Sequence, residues 1–155
     1  MNVLDGMPTL SAGGHGQGEG KACVMEYVAL LAGEAWTDEP KCTHPTLANV
    51  ARFLNDRLLD EDRHLLVPMI VRLFGTNAPV NEYQFNFLLW DVRCDYGLTP
   101  HQRTSNSSVR DNPIKAVQFL SDIIDIYDRL SGRNETHKLT DDDMKVLVSV
   151  GGESK

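Results

Sequence analysis

His15, Cys23, Glu26, Cys42 and His44 lie between positions 15 and 44 and are the residue types that hold zinc or run thiol chemistry. Zinc takes four N, S or O ligands in a tetrahedron. His15, Cys23, Glu26 and Cys42, with His44 able to replace one of them, would supply such a set. Spacing weighs against it, because structural zinc ligands usually come in close pairs such as Cys-x2-Cys, and the nearest approach here is Cys42-x-His44. The other chemistry is nucleophilic. Cys23 falls at the start of a predicted helix, whose dipole lowers a thiol pKa, with His15 or His44 as the base. No third residue to orient that base and no oxyanion donor is evident. The apolar neighbours Ala22 and Val24 favour a third reading, Cys23 as a small buried hydrophobe. The expectation is a protein without a cofactor and without catalysis, with zinc or thiol dependence at this cluster as the alternative.

Cysteine usage fits a reduced environment. Cys23, Cys42 and Cys94 are an odd number with no dense framework of the kind that staples small secreted domains. Cys23 and Cys42 would meet, as a disulfide or around a shared metal, only if the elements carrying them form a hairpin.

A Gly-rich leader, Ser11 to Gly20 (SAGGHGQGEG), precedes Cys23. It has no apolar period and cannot bury a face of its own, so it is expected to be flexible or held by a partner. A phosphate loop would need GxxxxGK followed by Ser or Thr after a buried strand. Here Ala22 follows Gly20-Lys21, and His15 stands at the first Gly position.

The rest reads as helices. Ala22, Met25, Val28, Ala29 and Ala32 recur at spacings of three and four and predict a helix over 21–32 that ends at Gly33. Glu26 interrupts that pattern and reads as a solvated edge rather than a buried acid with a partner. Turns at Asp38-Glu39-Pro40 and Thr43-His44-Pro45 lead to a helix over 45–58 with Pro45 in its first turn. A third helix begins at Asp60 or Glu61 and closes at Gly75, with a kink or break near Val67 imposed by Pro68. The fourth, from Asn81 to Gly97, carries Tyr83, Phe87, Leu88, Trp90, Val92 and Cys94; it is apolar on two sides and expected to be buried between others. Residues 98–111 read as a long surface loop. Asn112-Pro113 then opens a helix that runs to Gly132, with Asp122, Asp125 and Asp128 as an acidic, solvated edge. Thr140 and Asp143 resemble a capping box and open a last short helix through Met144, Leu147 and Val148. No segment alternates as a strand should. The fold class is all-α: one compact domain of about five to seven helices over 21–150, a leader over 1–20 and a frayed tail over 151–155.

With 155 residues and 41% apolar side chains, the chain suits one core. Its net charge of −7 opposes general binding to phosphate backbones. It has no apolar run long enough to span a bilayer, and its first residues lack the pattern of a signal peptide, which implies a soluble cytoplasmic protein.

At Gly13 to His15, Cys23 to Glu26, Val28 to Glu34, Trp36, Asp38, Pro40, Cys42 and Asn55 to Leu58, the chain resembles a group of hypothetical proteins of actinobacterial genomes and their bacteriophages. The likeness continues weakly to Thr76 and so covers roughly the first half; His44 is particular to this chain. The resemblance marks His15, Cys23, Glu26, Glu34, Trp36, Asp38, Cys42, Asn55 and Asp56, with His44 beside them, as the candidate functional segment. It implies a phage or prophage origin and residence in the host cytoplasm, and it brings no reaction with it. The expected role is a small interaction protein. Its partner would be a host or phage protein met through the acidic residues Asp122, Asp125, Asp128 and Asp141 to Asp143, or a second copy met through the aromatic fourth helix.

Overall fold

The computed structural model describes residues 7–96 and 106–133. Among them are six α-helices, a 3-10 turn and two strands of two residues each, so the protein is all-α as expected. The capping box expected at Thr140 and Asp143, the last helix, the Asp141 to Asp143 run and the frayed tail lie outside the described residues.

Two elements differ from expectation where the leader meets the first helix. Thr9–Leu10 (β1) and Lys21–Ala22 (β2) pair in parallel, Thr9 opposite Lys21 and Leu10 opposite Ala22. The first helix, α1 (Val24–Ala32), accordingly starts three residues later than its apolar spacing predicts. Cys23 is its N-cap in extended backbone, and Gly33, at φ 72°, closes it in the left-handed region that glycine enters without penalty.

The next helix, α2 (Pro45–Arg57), has His44 as N-cap and Pro45 in its first turn. The break expected at Pro68 is present: a 3-10 turn over Arg63–Leu66 gives way to α3 (Val67–Leu73), with the proline in the first turn, where its missing N–H costs nothing. Asn81 caps α4 (Glu82–Asp95) by accepting the Gln84 N–H. The expectation of a loop over 98–111 is corrected in part, because Asn106–Asp111 forms α5 and Val109 is buried. The longest helix, α6 (Pro113–Ser131), is capped by Asn112 and stopped by Gly132, as read from sequence.

Leu120, Ile123, Ile124 and Tyr127 of α6 are fully buried, and α6 packs against α2, α3, α4 and α5. Along α1, Val24 to Ala29 are all buried, and this helix packs on α2 and α3. The two hold one continuous core between them.

The fourth helix is not buried between others. Only Phe85 and Leu89 of α4 are buried, while Tyr83, Phe87 and Trp90 are 84%, 60% and 44% exposed. Apolar residues on two sides made it look central, but among the described residues just one of those sides finds a neighbour.

Candidate functional site

The leader is held against α1 and α2 by side chains of the candidate segment. Glu26, expected at a solvated edge, is instead buried and accepts three backbone or ring donors. These are the Cys23 N–H at 2.8 Å, the His15 N–H at 2.9 Å and the His15 Nδ1 at 3.2 Å. Burial raises the Glu26 pKa, but the donors from Cys23 and His15 together outweigh it and hold the carboxyl below its ordinary value. Glu26 is therefore an ionised acid inside the protein, kept so by the loop that wraps it.

Asn55 and Asp56 of α2 complete the hold. The fully buried Asn55 accepts the Val24 N–H at 3.1 Å through Oδ1 and donates from Nδ2 to the Ser11 carbonyl at 2.9 Å. Asp56 Oδ1 accepts the Gly13 N–H at 2.8 Å. Trp36 donates its indole N–H to the His15 carbonyl at 2.6 Å, and β1 adds main-chain bonds from Thr9 to Gly20 and from Ser11 to Ala22. The leader expected to be flexible is thus tied to the body at many points. Its glycines supply positive φ at Gly13, Gly18 and Gly20, and its N–H groups point at carboxylates of the same chain. Those donors, which in a phosphate loop would face an anion, are already occupied by Glu26 and Asp56.

Cys23 acts as a cap. Its Sγ accepts the Glu26 N–H at 3.3 Å while Glu26 takes the Cys23 N–H, a capping box with sulfur in the place of a hydroxyl. Burial, aided by the neighbouring Glu26 charge, pushes the thiol up to about 12. A nucleophilic cysteine needs the opposite shift. His15 turns its ring to Glu26, so the pairing that would activate the thiol is replaced by one that disfavours the thiolate.

His44 is also fully engaged. Its Nδ1 accepts the Thr46 N–H at 3.1 Å, which leaves the Nε2–H to donate to Glu82 at 2.9 Å. Its ring lies 5.0 Å from Phe85 and 5.8 Å from Tyr127. With both nitrogens occupied it has no lone pair for a substrate. Glu34 clasps the loop after α1 by accepting the Lys41 and Cys42 N–H groups at 2.8 and 3.1 Å, and its pKa is lowered first by the Cys42 thiol and then by these backbone donors. Cys42 is raised by burial and then by Glu34. Asp38 contributes its carbonyl to Arg52 at 2.5 Å.

The structure therefore brings His15, Cys23, Glu26, Trp36, Asn55 and Asp56 together around the leader. It sets Glu34, Asp38 and Cys42 in a separate loop and His44 beside α4. Among the described residues no three His, Cys, Asp or Glu side chains gather in a way that could hold a metal ion. The three cysteines are free thiols.

Sequence reasoning missed Arg63, which is buried and donates to the Asn55 and Leu58 carbonyls at 2.8 and 2.7 Å and to Asp60 at 2.6 Å, fixing the end of α2 behind Asn55. The capping role of Cys23 had a signal, the Cys-x-x-Glu spacing. Arg63 had none.

The acidic edge of α6 is not free either. Asp122 accepts from Tyr96 at 2.5 Å and from Gln118 at 2.9 Å, Asp125 pairs with Arg72, and Asp128 pairs with Arg133 at 2.7 Å and Arg72 at 3.6 Å. These bonds tie α3 and the ends of α4 and α6 together, which corrects the expectation of a simply solvated edge. Among the described residues the outward stripe of α4 is exposed, with Tyr83, Phe87, Trp90 and the exposed thiol of Cys94 at spacings of four, three and four. Compared with protein-family models, curated proteins and solved structures, the chain matches none of them.

Proposed function

We propose that the protein is a non-catalytic interaction module of phage or prophage origin, acting in the host cytoplasm, which docks on a host or phage protein or on another copy of itself through the outward face of α4. The observation that carries this reading is the exposure of Tyr83, Phe87 and Trp90 on one helical stripe. Apolar anchors at such spacings are how a helix seats in a groove or on another helix, and aromatic side chains dominate the energetics of such contacts. The candidate segment supports the reading from the other side, because its His, Cys and Glu side chains are engaged in building the fold. The net charge of −7 argues against a nucleic-acid partner. Among the described residues no helix is long and apolar enough to cross a membrane.

A photo-crosslinking residue placed at position 87, with one at the exposed position 61 as control, tests it in cells that express the chain. A discrete adduct at 87 and none at 61 is the expected result. No discrete adduct at 87 would overturn the reading.

A further inference from the structure

Resting on that reading, we propose that the occupant of the α4 face is a second copy of this chain, with the two α4 helices antiparallel across a twofold axis. Phe87 then packs on Trp90 of the partner subunit, and Tyr83 covers Cys94 of the partner subunit.

The stripe is built for such a pairing. Spacings of four, three and four read the same from either end, so a twofold axis midway between Phe87 and Trp90 brings each anchor opposite another. At 1.5 Å per residue the stripe is about 16 Å long, a continuous seam over three turns. The antiparallel order sets the large Tyr83 over the small Cys94 and lets the seam interlock. A parallel order would stack tyrosine on tyrosine and leave a gap at the two thiols. It would also align the two helix dipoles, which the antiparallel order opposes.

The area is of the right size for a weak dimer. At about 200 Å² for each aromatic side chain, exposures of 84%, 60% and 44% leave about 380 Å² per copy, hence about 750 Å² from three residues of each. Flanking contacts from Gln84, Asn86, Asp91 and Arg93 would carry the total toward about 1,200 Å², the lower bound for a specific interface. The other large exposed apolar residues, such as Leu31 and Ile114, belong to other elements and add nothing to this seam.

Charge separates a second copy from a basic partner. Asp122, Asp125 and Asp128, the carboxylates of α6 expected to meet a basic surface, are bonded within the fold, which removes the described half of that acidic surface. Two copies each carrying −7 repel one another over long range, so pairing has to come from the apolar seam and must strengthen as salt screens the repulsion. Docking on a basic protein would weaken with salt instead.

Sedimentation equilibrium of the purified full chain, at low and high salt over a wide range of concentration, is the test. The expected mass rises from 17.3 kDa toward twice that value, at lower concentration in high salt, and F87D stays monomeric at every concentration with the melting temperature of the dilute, monomeric natural chain. Orientation is read by Tyr83→Cys in the chain that retains Cys94. Mild oxidation should join residue 83 of one copy to residue 94 of the other, found by peptide mapping, while the unsubstituted chain is not joined through Cys94. A dimer indifferent to F87D, or joined Cys94 to Cys94, overturns the proposal. So does a monomer at all concentrations. If that monomer still gives an adduct with a different protein at position 87 in cells, the interaction reading survives and self-pairing falls. If the adduct is internal to one chain, mapped to residues 134–155, both fall.

Discussion

The clasp around the leader and the outward face of α4 divide the chemistry of this protein in an unexpected way. The clasp holds the uncommon residue types, a buried glutamate, a capping cysteine, a histidine, a tryptophan N–H and a buried asparagine, and each of them is bonded to another part of the same chain. The face holds ordinary aromatic residues, and they touch little. Residues that look reactive are here the fasteners of an irregular segment, since a Gly-rich strap with no apolar face can be fixed only by hydrogen bonds to its backbone. Residues that look like core are the ones left available. The two regions should therefore respond to substitution in opposite ways, the clasp through stability and the face through association.

The largest effect is expected at Glu26. Glu26→Ala removes the acceptor for the Cys23 and His15 N–H groups, and donors left unsatisfied in a buried place cost about 1–3 kcal/mol each. A loss of about 3 kcal/mol follows, or roughly 6–12 °C in Tm for a domain of this size, read by thermal or urea unfolding. Glu26→Gln keeps an acceptor and should fall between. The same carboxylate sets an acid limit. Its pKa is lower folded than unfolded, so its contribution is complete above the ordinary glutamate value of 4.5 and is lost as pH falls through the lower folded value. Unfolding midpoints measured downward from pH 5 should drop more steeply in the natural chain than in Glu26→Gln. Equal slopes would show that Glu26 is not the group responsible.

Asn55→Ala comes next, at about 2 kcal/mol, because it strips the acceptor from the Val24 N–H and the donor from the Ser11 carbonyl while leaving Arg63 its bond to the residue 55 carbonyl. Limited proteolysis sharpens this prediction. Cleavage within residues 11–20 should accelerate in Asn55→Ala and not in Phe87→Asp; equal rates would detach the leader's order from α2.

How much of this the sequence announced follows from the range of each interaction. α6 was legible from end to end, since Asn112, Pro113 and Gly132 act on their own neighbours and its apolar period is continuous. The break at Pro68 was legible for the same reason. The leader was not, because Gly13 and Ser11 find Asp56 and Asn55 more than forty positions away, and nothing in a run of glycines names those partners. The misplaced start of α1 is an intermediate case: apolar spacing carried the helix back to Lys21, but residues 21 and 22 pair with β1 and Cys23 takes the cap. α4 failed differently. Composition counts the apolar residues on a helix and does not say which of its faces the fold will cover.

At Cys23 the expected changes are smaller and have a sign that separates cap from packing. Cys23→Ala loses the cap and should cost about 1 kcal/mol, while Cys23→Ser restores an oxygen acceptor and should recover part of it. If the residue served only as a small hydrophobe, alanine would be the better tolerated of the two. Thiol labelling in the folded chain should follow exposure, Cys94 first and Cys23 only on unfolding, because burial shields that thiol and pushes its pKa up to about 12.

The smallest effect on stability is expected where the effect on association is greatest. Phe87 is 60% exposed, and aspartate at that position of an exposed helical face leaves no buried group unpaired, so the change in unfolding free energy should stay within about 0.5 kcal/mol. Leu89, two residues on and buried, provides the internal contrast: Leu89→Ala should cost about 2–3 kcal/mol by opening a cavity against α6. A helix whose two faces differed this much in stability, and in the reverse order in association, would hold its fold by one side and a partner by the other. If Phe87→Asp destabilised the isolated chain as Leu89→Ala does, the outward stripe would be covered from within and the division between clasp and face would fail.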